Sequence, residues 1–384
     1  MKKVLALAPA LYIHVPFCIQ KCFYCDFASR PISAPEVESY LAALEQEGRA
    51  VLASWPVSWE APSIYVGGGT PTALRPAELE RVLRVAAAFP RARGAEWTVE
   101  ANPGTVDEAK LKLLLDSGVN RLSFGVQSFD DEELRFLGRI HTARDSVAAW
   151  ELARRVGFSN LSLDLIYALP GQSLDSWRRT LGQAAALCPE HISAYSLSVE
   201  PETEFGRRQA AGTLEPVDDE LDLALYQEAQ EVLSKAGLLQ YEISNFARPG
   251  YESRHNLVYW RNEPYWGLGP AATSYIGGER RTNLKKVADY CRELEVGRAP
   301  VAERELAGRE LEMAETVILG LRLVQGITWE RFYERFGVDL RNVYPEVIKR
   351  LAAAGLIVSD KRGLRLTPRG LAVANRVFLE FLPD

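Results

Sequence analysis

The sequence predicts an α/β protein: a partial (β/α)6 barrel followed by a smaller C-terminal winged-helix-like α/β unit. Three observations carry this. Six strand-like runs alternate with amphipathic helical patterns through the first two-thirds of the chain. Those runs are apolar more than cleanly alternating, as in strands covered on both faces. From about residue 280 the alternation stops, and helices followed by a hairpin take over.

In order, strands are expected at 11–15 (LYIHV), 62–66 (PSIYV), 96–101 (EWTVEA), 121–126 (RLSFGV), 160–166 (NLSLDLI) and 192–198 (ISAYSLS). Helices are expected between them at 36–53, 76–88, 107–117, 142–156 and 173–187. Leu79, Val82, Leu83 and Ala86 show the spacing of one helix face. Successive β-then-α units imply parallel strands with right-handed crossovers, and six are too few to close an eight-stranded barrel. A doubly wound sheet is the alternative. A longer helix at 218–236 and the segment QYEISNF (240–246) close this region. Helices at 308–323, 328–336 and 344–354, a hairpin in LIVSDKRGLRLT and a last helix at 368–381 give the winged-helix order. The domains are therefore 1–215, the partial barrel; 216–280, an extension that closes it and carries HNLVYW; and 281–384, the C-terminal module.

Composition narrows the class. Apolar residues make up 47% and charged residues 25% of the 384, as in ordinary globular proteins. The net charge of −6 provides no general field for nucleic acid. In the C-terminal module Lys and Arg are interleaved with acids and form no basic face, so a packing or partner role is read there. No apolar run is long enough to span a bilayer. The start, MKKVLALAPAL, has the charge and apolar stretch of a short signal peptide, but Pro9 interrupts it and a strand follows at once. It is read as the native start of a cytosolic protein.

Three of the five cysteines fall in HVPFCIQKCFYCDF (14–27), directly after the first strand. A disulfide framework is foreign to so long a chain with so few cysteines. Cys188 and Cys291 stand alone in helical patterns and are expected to be buried, inert thiols. Cys18, Cys22 and Cys25, spaced C-x3-C-x2-C, can converge on one centre. A structural zinc ion requires four protein ligands, usually in separated pairs. A [4Fe–4S] cubane held by three thiolates instead leaves one iron open to a ligand. VGGGTPT (66–72) follows the second strand, where glycines allow close backbone approach and free N–H groups suit an anion. Glu100, Gln127 and Asp164 lie at or near the carboxyl ends of later strands, where ligands of parallel βα arrays bind. Arg139, in LGRIH, can pair with a carboxylate, or form an exposed ion pair.

C-x3-C-x2-C after the first strand of a six-unit βα domain resembles the radical-SAM superfamily. The resemblance implies that S-adenosylmethionine (SAM) chelates the open iron and can be cleaved to a 5′-deoxyadenosyl radical. YIHVPFCIQKCFYCDF, GGGTPT, VEANP, RLSFGVQSF, LGRIH, DLIYALPGQ and GLGPAATS together resemble the family of oxygen-independent coproporphyrinogen III oxidase, over nearly the whole chain. That likeness implies cluster and SAM contacts at Tyr12, Cys18, Cys22, Tyr24, Cys25, Gly68, Gly69, Thr70, Glu100, Gln127, Arg139 and Asp164. Gln127, Arg139 and Asp164 match positions assigned in the oxidase to a second SAM. The oxidase has a further cysteine where this chain has Phe27, and a longer segment before the first strand, which here begins at Leu11. Both departures match the heme-chaperone (HemW-type) branch.

HNLVYW, His255 to Trp260, matches a motif of that branch and implies His255 as an axial heme ligand; a packing histidine beside aromatics is the other reading. The expected function is a cytosolic [4Fe–4S]- and SAM-binding heme chaperone that transfers heme to apo-hemoproteins. No catalytic residue is assigned. Two alternatives are carried: a radical oxidase of porphyrin biosynthesis, and a redox-sensing adaptor that binds nucleic acid. On the first reading nucleic acid is not a partner, while a homodimer and a transient membrane contact stay open.

Overall fold

A computed structural model describes residues 7–383. The reading of the first residues as a native start rests on 1–6, which lie outside the described residues. The chain opens with β1 (Ala10–Val15), then the short β2 (Phe17–Cys18) and β3 (Arg30–Pro31), which pair parallel across the cysteine loop. Next come β4 (Ala61–Gly68), β5 (Arg91–Ala101), β6 (Arg121–Gln127), β7 (Leu161–Tyr167) and β8 (His191–Ser196). Helices Ala34–Ser54, Pro76–Ala87, Glu108–Asp116, Ala143–Val156 and Leu174–Ala186 fill the gaps, each within about two residues of its expected ends. Their starts are written locally. Pro76 opens one helix while the Glu78 carboxylate accepts from the Arg75 N–H at 2.8 Å. Thr142 and Ser173 cap two others through their side chains.

The chain continues through β9 (Leu239–Glu242), β10 (Asn245–Ala247), β11 (Tyr265–Leu268), β12 (Thr273–Ile276), β13 (Glu279–Asn283) and β14 (Val301–Leu306). One sheet runs β14-β13-β12-β11-β1-β4-β5-β6-β7-β8-β10-β9. From β1 to β8 its strands are parallel and follow chain order, so each crossover goes the same way. That is the winding of a barrel wall, not of a doubly wound sheet. β11 adds one more parallel strand beside β1, and antiparallel strands finish both flanks.

The two faces of the wall differ. Ile64, Val66, Trp97, Val99, Leu122, Phe124, Leu161, Leu163 and Ile192 join Leu79, Val82 and Leu83 of the helices in the main core. Their strand neighbours point the other way: Ser63, Tyr65, Thr98, Glu100, Arg121, Ser123, Ser162, Asp164, His191 and Ser193 line a polar lumen. The strands thus alternate after all. Most of these residues are buried, while Tyr65, Glu100 and Asp164 are partly open to the cavity, and most of the inner-face polar groups hydrogen-bond one another.

The expected third domain starts at 281, whereas β13 and β14 stay in the large sheet, and a separate core gathers from Met313 onward. That core holds helices Arg309–Arg322, Trp329–Phe336 and Pro345–Ala353 and a small sheet of β15 (Ile327–Thr328), β16 (Ile357–Ser359) and β17 (Gly363–Leu366), in the order β15-β17-β16. The last expected helix is two short ones, Pro368–Ala372 and Ala374–Leu379, separated at Val373, whose φ of −125° leaves the helical range.

Candidate functional site

The cysteine loop leaves β1 and folds back on itself. Ile32 N–H donates to Cys18 O at 2.9 Å, Cys25 N–H to Cys22 O at 3.2 Å, and Lys21 Nζ to Phe27 O at 3.2 Å. Phe23 anchors it in a small apolar cluster with Leu137 and Phe205. Cys18, Cys22 and Cys25 line a cavity of about 470 Å³ at the carboxyl ends of the parallel strands. A larger cleft of about 690 Å³ between Trp260 and the C-terminal unit contains none of them.

Of the residues implied by resemblance, Tyr24, Gly68, Gly69, Thr70, Glu100, Gln127, Arg139 and Asp164 line the same cavity. A closed ring of contacts ties two cysteines together. Thr70 Oγ1 donates to Cys18 Sγ at 3.6 Å, and Asn102 Nδ2 to Thr70 Oγ1 at 2.8 Å. Arg139 Nη2 donates to Asn102 Oδ1 at 2.5 Å, and Nη1 to Cys22 Sγ at 3.2 Å. Arg139 is therefore no surface ion pair. Asn102, in VEANP, is the member that sequence reasoning missed; its signal is its place one residue past the end of β5.

Glu100 accepts from Tyr65 OH at 2.7 Å and Gly68 N–H at 3.0 Å, and burial pushes its carboxyl up to about 7. Asp164 is raised by burial too and accepts from Ser123 Oγ at 3.2 Å. Gln127 ends β6 with φ of 71°, a left-handed turn rare outside glycine and common at ligand sites. The glycines, which line the cavity, also clear the chain itself. A Cβ on Gly69 meets Phe17 O at 2.6 Å, and one on Gly68 meets the His14 ring at 2.4 Å. They let the chain pass its own backbone, which brings the Thr70 hydroxyl onto Cys18.

Tyr12 and His255 do not line the cavity. Tyr12 OH bonds His14 Nδ1 at 2.9 Å. His255 is 1% exposed, with Nδ1 2.9 Å from Ser63 Oγ and Nε2 2.9 Å from Tyr259 OH. Neither nitrogen is available to a heme iron in this conformation. The ring is held inward because helix Arg254–Trp260 packs against β4, its N-terminus held by Glu96, which accepts from the N–H groups of both Arg254 and His255 at 3.1 Å. Its neighbour Asn256 reaches the cavity instead. Cys188, expected buried, is exposed just past a helix end with φ of 50°; Cys291 is half-buried.

The donor set fits a cubane. Among the described residues no three His, Cys, Asp or Glu side chains converge on one metal ion. The three thiols share one cavity, which suits a cluster in which each thiolate holds a different iron, whereas a structural zinc ion requires four protein ligands. Burial pushes the Cys18 and Cys25 thiols up, so a strongly cationic centre is needed to hold them as thiolates.

Comparison with known proteins agrees. Residues 12–184 match the radical SAM superfamily and 309–373 match the HemN C-terminal domain. The heme chaperone HemW of Bacillus subtilis is 40% identical over 97% of this chain and 99% of its own. The chain belongs to the HemW family. A mitochondrial radical S-adenosyl methionine domain-containing protein 1 from Bos taurus is 36% identical over 97% of this chain and 87% of its own. The Escherichia coli coproporphyrinogen III oxidase HemN shares the fold, with a TM-score of 0.85 over 98% of this chain and 90% of its own at 24% identity. Membership in this radical-SAM family implies a [4Fe–4S] cluster and SAM. No helix among the described residues is long and apolar enough to cross a membrane.

Proposed function

We propose that this HemW-family chain is a cytoplasmic heme chaperone that binds heme and passes it to apo-hemoproteins. The observation that carries the reading is full-length likeness, at 40% identity, to a curated heme chaperone. Phe27, 61% exposed beside the cavity where the oxidase has a further cysteine, supports the same branch. Cys18, Cys22 and Cys25 hold the cluster. Tyr24, Gly68, Gly69, Thr70, Glu100, Gln127, Arg139 and Asp164 surround SAM, with Tyr12 behind them. When bound, the cluster and SAM supply one-electron chemistry. The residues of this chain fix the thiols through Thr70, Asn102 and Arg139, and Glu100 offers an acceptor whose charge changes near neutral pH. The described residues divide into a barrel through β14 and a C-terminal unit from about 309.

The test is titration of the purified, cluster-loaded protein with heme, then transfer to a heme-free globin monitored by its spectrum. Stoichiometric binding followed by transfer is expected. Absence of binding, together with vinyl products from coproporphyrinogen III under reducing anaerobic conditions with SAM, makes the chain an oxidase instead.

A further inference from the structure

The floor of the cysteine cavity holds a charge that no side chain neutralises at contact distance among the described residues. Arg121 is 1% exposed yet lines the cavity. Its hydrogen bond from Nη1 to Thr98 Oγ1 is long, at 3.4 Å, and its Nε has no partner. The register explains the pairing, since Thr98 sits opposite Arg121 across β5 and β6. Both cavity carboxylates feel the Arg121 charge but hydrogen-bond other donors: Glu100 to Tyr65 OH and Gly68 N–H, Asp164 to Ser123 Oγ.

Two histidines flank the same lumen and bring no negative charge. His255 bridges Ser63 and Tyr259, and His191 bridges Ser162 Oγ at 2.8 Å and Tyr241 OH at 3.0 Å. Burial first, then the Arg121 charge, holds both well below the usual imidazole range. Both rings have their two nitrogens bonded and bring the guanidinium no counter-charge. A buried cation without a contact partner is costly to keep, and such costs collect where a ligand completes the arrangement.

We propose that Arg121 binds the carboxylate of a ligand entering the cavity, through the paired N–H donors of its guanidinium. The geometry suits a planar, two-oxygen acceptor, which matches the guanidinium fork. None of the residues implied by resemblance includes Arg121. On the function proposed above, two ligands carry such a group: SAM through its aminocarboxylate and heme through its propionates. The structure assigns the shared chemistry, and experiment separates the sources.

The test uses the full-length, cluster-loaded protein and its variants Arg121→Met and Arg121→Lys. Each is titrated with SAM, decarboxylated SAM, heme and heme dimethyl ester. If a heme propionate is the partner, the parent prefers heme over its ester by about tenfold or more, and Arg121→Met loses that preference. If SAM is the partner, Arg121→Met weakens SAM by about the same factor but leaves decarboxylated SAM unchanged. Arg121→Lys keeps part of the preference, and both variants melt no lower than the parent. A parent that binds acid and carboxyl-free forms of both ligands equally overturns the proposal without any variant. So does an Arg121→Met protein that binds every probe as the parent does, or one that melts lower and is not rescued by lysine. A parent that binds neither form of heme removes the chaperone reading, while the SAM arm still decides the role of Arg121.

Discussion

Replacing His255 with alanine decides whether the histidine of HNLVYW is part of the barrel lumen. Its ring makes two hydrogen bonds of 2.9 Å, to Ser63 Oγ and Tyr259 OH, and stacks 5.1 Å from the Tyr65 ring. Alanine strands both hydroxyls in a dry interior, at about 1–3 kcal/mol each, and the lost packing raises the total to about 3–6 kcal/mol. Unfolding entropy of about 2.1 cal/mol/K per residue, over 384 residues, gives about 0.8 kcal/mol/K, so melting falls by about 4–7 °C. His255→Gln keeps a donor and an acceptor and recovers part of the loss. The assay is calorimetric unfolding at neutral pH, paired with heme titration of the same samples while folded. The reasoning requires a lower melting temperature with heme affinity retained in the folded protein. A variant that melts with its parent and no longer binds heme makes His255 a ligand, and the lumen account fails.

Four other outcomes follow from the same geometry. Gly69→Ala forces a Cβ to within 2.6 Å of Phe17 O, so the Thr70–Cys18 contact is lost, and iron content after reconstitution drops to near background. Glu96→Ala removes the acceptor for two helix N–H groups and costs about 1–3 kcal/mol in denaturant unfolding. The pH dependence has a definite sign. Burial holds His255 down to about 3 and His141 to about 4, below the ordinary unfolded value of about 6.5, so protons favour the unfolded chain. Stability present above about 6.5 is lost as pH falls, by about 1.4 kcal/mol per unit for each histidine. His255→Gln therefore shows a shallower loss between about pH 6 and 4 than its parent. Glu100 acts on binding: raised to about 7, it becomes protonated and loses acceptor strength as pH falls below that value. SAM affinity then declines on the acid side of neutrality, and Glu100→Gln binds weakly with no such slope.

The parts of this protein legible in the sequence are those whose cause is local. C-x3-C-x2-C places three thiols on one loop through a handful of dihedrals, and helix ends at Pro76, Thr142 and Ser173 are set by caps within a turn. Glu100 and Asp164 were readable from their strand positions. Asn102 and Arg121 were not, because each matters through segments distant in sequence: Thr70 and Arg139 for one, the cavity lining for the other. Cys188 was misread because a helical pattern does not tell the last buried turn from the first exposed residue beyond it. The glycine-rich turn was read for its flexibility, but not for the close passage of the chain itself against Gly68 and Gly69.

The sequence by itself determined the alternation of the six strand-and-helix units, the cysteine loop and the glycine turn, and its motifs carried the resemblance to the family. The elements among these rest on spacings of a few residues. Tertiary structure alone decided that alternate strand residues face a polar lumen, that Arg139 closes a ring onto Cys22, and that Asn256 rather than His255 reaches the cavity. The physical reason is that a hydrogen bond or a buried charge is set by what lies across the sheet. Partners 37 residues apart, as Asn102 and Arg139 are, or 192 apart, as Ser63 and His255 are, meet only when the barrel wall has formed.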